Sequence, residues 1–468
     1  MRRPTPLLVA VLLCAACGPS EPAPDLAIEN VTVVDAEQGA LPGRTVVVDD
    51  GRIVSVTEAG TPSGANRVVD GTGRFLIPGL WDFHVHFTFD ERFTDAMPGL
   101  FLAHGVTSVR DTGGPLEAML PVVERLRSGA EPAPRVFFAG PLLDGEAVVY
   151  DGVNNPLLGI ANPDPETARA NVARLAEAGV DFIKIYELVS PEVFEALVDA
   201  AGEHGLPIDG HVPLSLLARD VGPRVNSLEH LRNLEMDCAT DAEAMLAERR
   251  AILDAHDDPA GAALRSRLHG MHRLPSIASP DPARCAELAA ALQETIQVPT
   301  LRLNAMGVVS PFDRDDFPIV LDRVPEEAAA SWREALAEAG DEPVRDNTHG
   351  QWSLDFVGML HEAGVPVGAG TDTPIGYAVP GYSLHSELEM LVRAGLSPRD
   401  ALRAATVRPA EFFGLEGEMG TVEAGMLADL VLLSANPLDD IRNTRTVEAV
   451  VTKGELLDQE ALAELTGG

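Results

Sequence analysis

Positive charge is what this chain has least of. Its 72 acidic residues outnumber 35 basic ones for a formal charge of -37, and no local cluster or stripe of Lys and Arg offsets the excess. Such a surface repels a phosphate backbone, which excludes nucleic acid as a partner and leaves a small molecule as the expected ligand. Lysine is scarcer still: of the basic residues only Lys184 and Lys453 are lysine, and all the others are arginine. Cysteine occurs four times, and beyond the N-terminal segment only Cys238 and Cys285 remain. In an oxidising compartment these two either pair or stay as buried thiols. No internal repeat is present, and no low-complexity segment apart from a short Pro/Ser/Ala stretch at residues 18–25. The 46% hydrophobic content is that of an ordinary globular chain and supplies ample core.

The only long apolar run is N-terminal. Met1-Arg2-Arg3 precedes Leu7 to Leu13 and then Cys14-Ala15-Ala16-Cys17-Gly18, a basic n-region and an apolar stretch too short to span a bilayer. Leu13 to Cys17 resembles a bacterial lipobox, with Cys14 where an aliphatic residue is usual. The expectation is a signal peptide at 1–17, lipid on Cys17, a tether at 18–25 and an exported chain whose one membrane contact is its anchor. Gly18 after the cysteine points to the outer membrane, or its periplasmic face, in a Gram-negative cell. Nothing in the sequence fixes the oligomeric state.

From residue 26 the rhythm is β-like: Ala27 to Val34, Thr45 to Val48, and Arg52 to Val56 after an Asp50-Gly51 turn. At Gly79 short apolar strands begin to alternate with helical stretches, the signature of βα units. Strands are expected at 80–86, 105–111, 135–140, 180–186, 207–212, 226–231, 298–301 and 365–372. Eight such strands make an α/β fold, a TIM (β/α)8 barrel over 79–417. β-like sequence returns at Gly420-Thr421-Val422, Ala428 to Leu433 and Thr446 to Val451. Residues 26–78 plus 418–458 are therefore expected to form a small β-sandwich from both chain ends. The insertions 232–297 and 302–355 are helical in composition and expected to wall the barrel mouth.

In Asp82-Phe83-His84-Val85-His86-Phe87, strand alternation puts both histidines on one face and an apolar backing on the other. Lys184 and Tyr186 share a face of Val180 to Tyr186 in the same way. A lysine inside a strand, in a chain that otherwise prefers arginine, suggests an amine that must lose its proton and react. With CO2 it would become a carbamate able to bridge two metals. The alternative is an amine paired with an acidic neighbour. His211, His230 and Asp372 each end a strand-like run, and each by itself could be structural.

The ordered set of two histidines, lysine, histidine, histidine and aspartate resembles the amidohydrolase superfamily in its binuclear, carboxylated-lysine form. So do Phe75-Leu76-Ile77-Pro78-Gly79-Leu80-Trp81-Asp82, Gly370-Thr371-Asp372-Thr373-Pro374, His385-Ser386-Glu387-Leu388 and Gly425-Met426-Leu427-Ala428-Asp429-Leu430-Val431. The likeness is greatest to secreted imidazolonepropionase-like and Xaa-Pro-dipeptidase-like members. It implies that His84, His86 and Asp372 hold one metal, His211 and His230 another, and carboxylated Lys184 both. Two divalent ions, zinc by the donor types, would share a bridging hydroxide as nucleophile, with Asp372 as proton acceptor. Deaminases and imidazolonepropionases of the superfamily carry a glutamate three residues after the strand-5 histidine; Leu214 stands there. That departure favours hydrolysis of an amide or peptide, as in a dipeptidase or cyclic amidase. The alternatives are a lactonase, a phosphotriesterase-like enzyme and a non-catalytic metal-binding surface lipoprotein. Arg110, Tyr186, Tyr382 and His385 are the expected substrate contacts.

Overall fold

A computed structural model describes residues 23–153, 155–339 and 347–467. The lipobox and residues 18–22 of the tether lie outside the described residues.

Strands from the two ends of the chain join in one eight-stranded sheet. Its order is Glu455–Asp458, Val447–Thr452, Leu430–Leu433, Phe75–Pro78, Leu26–Asp35, Gly39–Asp49 and Arg52–Glu58, with Arg67–Asp70 pairing beside Leu26–Asp35. The seam between the ends is Phe75–Pro78, antiparallel to Leu430–Leu433 with Pro78 opposite Leu430, and parallel to Thr32-Val33 on its other edge. The alternating residues read from the sequence make the core: Val31, Val33, Val46, Leu76, Leu430 and Leu432 meet in one buried cluster. No strand forms at 420–422. Gly420 takes φ +98° and lies against the Thr406–Val407 backbone, where a Cβ would come within 3.1 Å of the Val407 Cα, so the chain there packs on a helix start instead of extending.

The rest is an α/β fold with parallel sheets. Leu80–Val85, Val106–Asp111 and Arg135–Phe138 form one, and Gly159–Ile160, Leu142–Leu143, Ile183–Ile185, Ile208–Gly210, Ser227–Glu229 and Ile296–Val298 the other. Residues 366–373 run between them: Gly368 N donates to Gln297 O at 2.9 Å, Phe83 N to Ala369 O at 3.0 Å and His86 N to Thr373 O at 2.8 Å. On the other flank Asp181 N reaches Phe138 O at 2.9 Å. The strand expected at 298–301 lies earlier, at Ile296–Val298, because Pro299 has no N–H to continue the ladder and Leu301–Asn304 is already helical. Helices between strands start where the sequence signals them. Asp164 and Ser190 cap Pro165–Glu177 and Pro191–His204 by accepting from Thr167 N and Val193 N, and Gly205 ends the second at φ 66°.

The segments 232–297 and 302–355 contribute helices including Ala242–Asp254, Gly261–Ala278, Pro282–Ala291 and Glu326–Ala339. Cys238 and Cys285 are joined as a disulfide, their Cα atoms 4.6 Å apart, which ties Pro282–Ala291 to the chain just after Leu234–Asp237. No described helix is long and apolar enough to cross a membrane.

Candidate metal centre

His84, His86, Lys184, His211, His230 and Asp372 line one cavity of about 100 Å³, together with Tyr150, Tyr186, Arg232 and Arg265. His84, His86, His211 and His230 sit at the end of a parallel strand or just past it, and Lys184 at the middle of Ile183–Ile185; no strand forms at the expected 365–372, so Asp372 comes from the stretch 366–373 that bridges the two sheets. The nearest group is His84, His86 and Asp372. Asp372 Oδ1 lies 3.3 Å from His84 Nε2 and 3.2 Å from His86 Nε2, and the three donor atoms fall within 4.8 Å of one another. The His84 and His230 rings are 4.5 Å apart by centroid and the His211 and His230 rings 5.0 Å. Asp372 and His230 adopt left-handed backbone, φ 62° and 58°. Side chains tolerate that conformation only where the surroundings hold them, as the Asp372 N to His84 O hydrogen bond of 2.8 Å does here.

All four imidazoles are held through the same nitrogen. Nδ1 of His84 meets Glu229 Oε2 at 2.5 Å, that of His86 the Gly113 carbonyl at 3.0 Å, that of His211 Glu187 Oε1 at 2.7 Å and that of His230 Thr300 Oγ1 at 2.6 Å. The Thr300 hydroxyl donates to Pro299 O at 2.8 Å, so toward His230 it must accept. With an acceptor on every Nδ1, the proton sits there and the Nε2 lone pairs are free.

Behind the histidines lies a closed polar layer. Arg110 is fully buried, donates to Phe83 O at 2.7 Å, Ser227 Oγ at 2.9 Å and Glu229 Oε1 at 2.7 Å, and stacks 3.6 Å over the Phe83 ring. Ser227 Oγ in turn donates to Asp209, whose other oxygen accepts from Lys184 Nζ at 3.0 Å. Asp82 accepts from Thr371 N and Oγ1 at 3.0 and 2.6 Å, and burial pushes its carboxyl up to about 7.

Protonation follows from these contacts. Burial, reinforced by the Lys184 ammonium, drives His211 down to about 3, and burial carries His230 well below its usual range. Burial also opposes charge on His84, but Glu229 and Asp372 outweigh it and raise the pKa. Asp372 would be raised by burial, yet the His230, His84 and His86 imidazoles around it hold it well below the carboxylate range. Glu187 is held down likewise, against burial, by Arg265 and His269.

A model of the amidohydrolase family matches residues 347–457. An imidazolonepropionase of Rubrobacter xylanophilus is 44% identical over 81 residues, 16% of this chain and 18% of that protein, so the chain spans less than a fifth of that relative. An ochratoxinase of Aspergillus niger is 25% identical over 464 residues, covering 86% of this chain and 80% of the relative. Among solved structures, a Xaa-Pro dipeptidase with methionine bound in its active site superposes with a TM-score of 0.66 at 19% identity, over 92% of this chain and 99% of that one. The C-terminal quarter of the chain thus matches the amidohydrolase family, and nearly the whole chain shares its fold with the dipeptidase.

Three of the four expected substrate contacts are corrected; only Tyr186 lines the cavity, 4.6 Å from the His211 ring by centroid. Arg110 is spent on Glu229 and the Phe83 carbonyl behind the histidines. Tyr382 donates to Asp316 at 2.7 Å and accepts from Arg314 Nε at 2.9 Å. His385 is buried between the His104 carbonyl and Thr444. Tyr150, Arg232 and Arg265 were not foreseen. Strand alternation gives no signal for Arg232, because His230 and Leu231 are left-handed, φ 58° and 55°, and the chain there is not extended.

Proposed function

We propose that this chain is a metal-dependent hydrolase that cleaves a carbon–nitrogen bond, an amide or peptide, in a small molecule. The observation that carries this reading is the common Nδ1 anchoring, which turns four Nε2 lone pairs toward a cavity that also holds a carboxylate and a lysine. Such donors suit divalent zinc-like ions. His84, His86 and Asp372 would hold one, His211 and His230 a second, and Lys184, as its carbamate, both. Bound ions supply Lewis acidity and lower the pKa of water to about 7.

The chain's own residues do the rest. Asp372, kept ionised, accepts a proton from the attacking water and returns it to the departing amine. Glu229, Glu187, Gly113 and Thr300 keep each imidazole in one tautomer throughout. Leu142, Leu158, Leu303 and Ile375 give the cavity apolar walls that limit water. Buried Leu214, in place of a glutamate, favours hydrolysis over deamination.

On this reading the two parallel sheets, joined through residues 366–373, close as a (β/α)8 barrel with the composite sheet as its sandwich-like companion. The mature protein is exported and anchored through lipid on Cys17. Elemental analysis should find two ions per metal-replete chain, and a screen of dipeptides, N-acyl amino acids and cyclic amides should find turnover that chelation removes and zinc restores. Saturation at one ion with full activity overturns the two-ion assignment. Labelled palmitate incorporated equally by the protein and by Cys17→Ser overturns the anchor.

A further inference from the structure

Around the candidate centre every arginine but one is engaged. Arg265 pairs with Glu187 at 2.8 Å, Arg273 with Glu235 at 3.5 Å, and Arg249 with Asn233 at 3.0 Å and His272 at 3.2 Å. Arg232 lines the cavity, yet its Nε is buried without a hydrogen-bond partner, and among the described residues no carboxylate pairs with it. A buried polar atom left unpaired in a native fold calls for an explanation.

Its neighbours suggest one. Tyr150 and Tyr186 line the same cavity with ring centroids 5.8 Å apart, and Tyr186 packs against His211. Two phenols beside a free guanidinium make a donor set for a planar anion, next to the histidines. In a chain of charge -37 an anion gains no long-range attraction, so local donors must capture it. We propose that Arg232, supported by Tyr150 and Tyr186, binds a carboxylate of the substrate, so that the amide cleaved is one borne by an amino acid or a comparable small acid. This rests on the hydrolase reading for its catalytic half; the anion site is separately testable.

The test pairs turnover with direct binding. Dipeptides and N-acyl amino acids are each compared with the counterpart in which hydrogen replaces the C-terminal carboxylate, using the metal-replete protein, Arg232→Met and Arg232→Lys. Arg232→Met should lower kcat/KM about 10- to 100-fold for the acids, the range for a charged hydrogen bond. It should leave the decarboxy amides within about twofold, and Arg232→Lys should recover part of the loss. Calorimetry with 3-phenylpropanoate and its primary amide should show binding of the acid alone, lost in Arg232→Met and retained in part in Arg232→Lys. An equal fall for both substrate classes, or undiminished 3-phenylpropanoate binding by Arg232→Met, overturns the anion site. If no amide is cleaved by the unaltered protein while 3-phenylpropanoate binding still depends on Arg232, the hydrolase reading fails and the anion site stands.

Discussion

Arg110 lies behind the four histidines and Arg232 in front of them, and the fold treats the two guanidinium groups differently. Arg110 has a carbonyl, a hydroxyl, a carboxylate and an aromatic face to itself. Arg232 has a buried Nε with nothing to bond. The layer behind is complete within the protein: Glu229 holds His84 and Arg110, and Asp209 holds Ser227 and Lys184. The layer in front is left with donors to spare. The difference teaches how to read a buried charge: one whose bonds all close inside the chain positions its neighbours, and one whose bonds do not is shaped for something that arrives.

The largest test of this contrast acts on Lys184, where the two layers meet. Lys184→Arg should empty at least one metal position and abolish turnover. Guanidinium cannot form a carbamate, and a fixed cation about 4 Å from a divalent ion is repelled by on the order of 4 kcal/mol per unit charge at an effective dielectric of about 20. Retention of two metals and normal turnover would falsify the carbamate assignment. Next in size is Arg110→Met, which leaves Glu229 buried without its guanidinium partner. It should cost about 3–5 kcal/mol in urea unfolding, whereas Arg232→Met, removing a charge with no partner, should stay within about 1 kcal/mol. Equal losses for the two would erase the distinction. Smallest is Glu187→Gln, which frees the His211 tautomer and Arg265 together and should weaken metal binding about 10- to 100-fold in competition with a chelator. If affinity is unchanged, Glu187 serves the helix Gly261–Ala278 alone, through Arg265 and His269.

Much of this was legible from residues alone. Period-two alternation put His84 beside His86 and Lys184 beside Tyr186, and the structure brings these to one cavity with His211, His230 and Asp372. Alternation also misled. Arg110 sits on a strand face like the rest, but it lies one residue short of that strand's end at Asp111, and its long side chain turns into the buried polar layer behind the histidines. His385 belongs to a helix, where a motif says nothing about which side is wet. The helices of residues 232–297 gave no periodic sign that Arg265 would reach Glu187, because long-range pairing of charged side chains leaves no local pattern. The left-handed backbone at His230 and Leu231, φ 58° and 55°, hid Arg232 as well, since it breaks the extended geometry on which alternation rests.

The seam between Phe75–Pro78 and Leu430–Leu433 carries a consequence for biosynthesis. The partner of the first strand is encoded about 350 residues downstream. At roughly 5–20 residues per second a ribosome needs about 20–70 s to deliver it. Throughout that interval the nascent chain holds an apolar strand with one open edge, a template for wrong pairing. Completion of the sheet must therefore wait for the end of translation, and a helper that shields that edge should raise the yield of this protein more than that of a domain whose strands pair in the order they emerge.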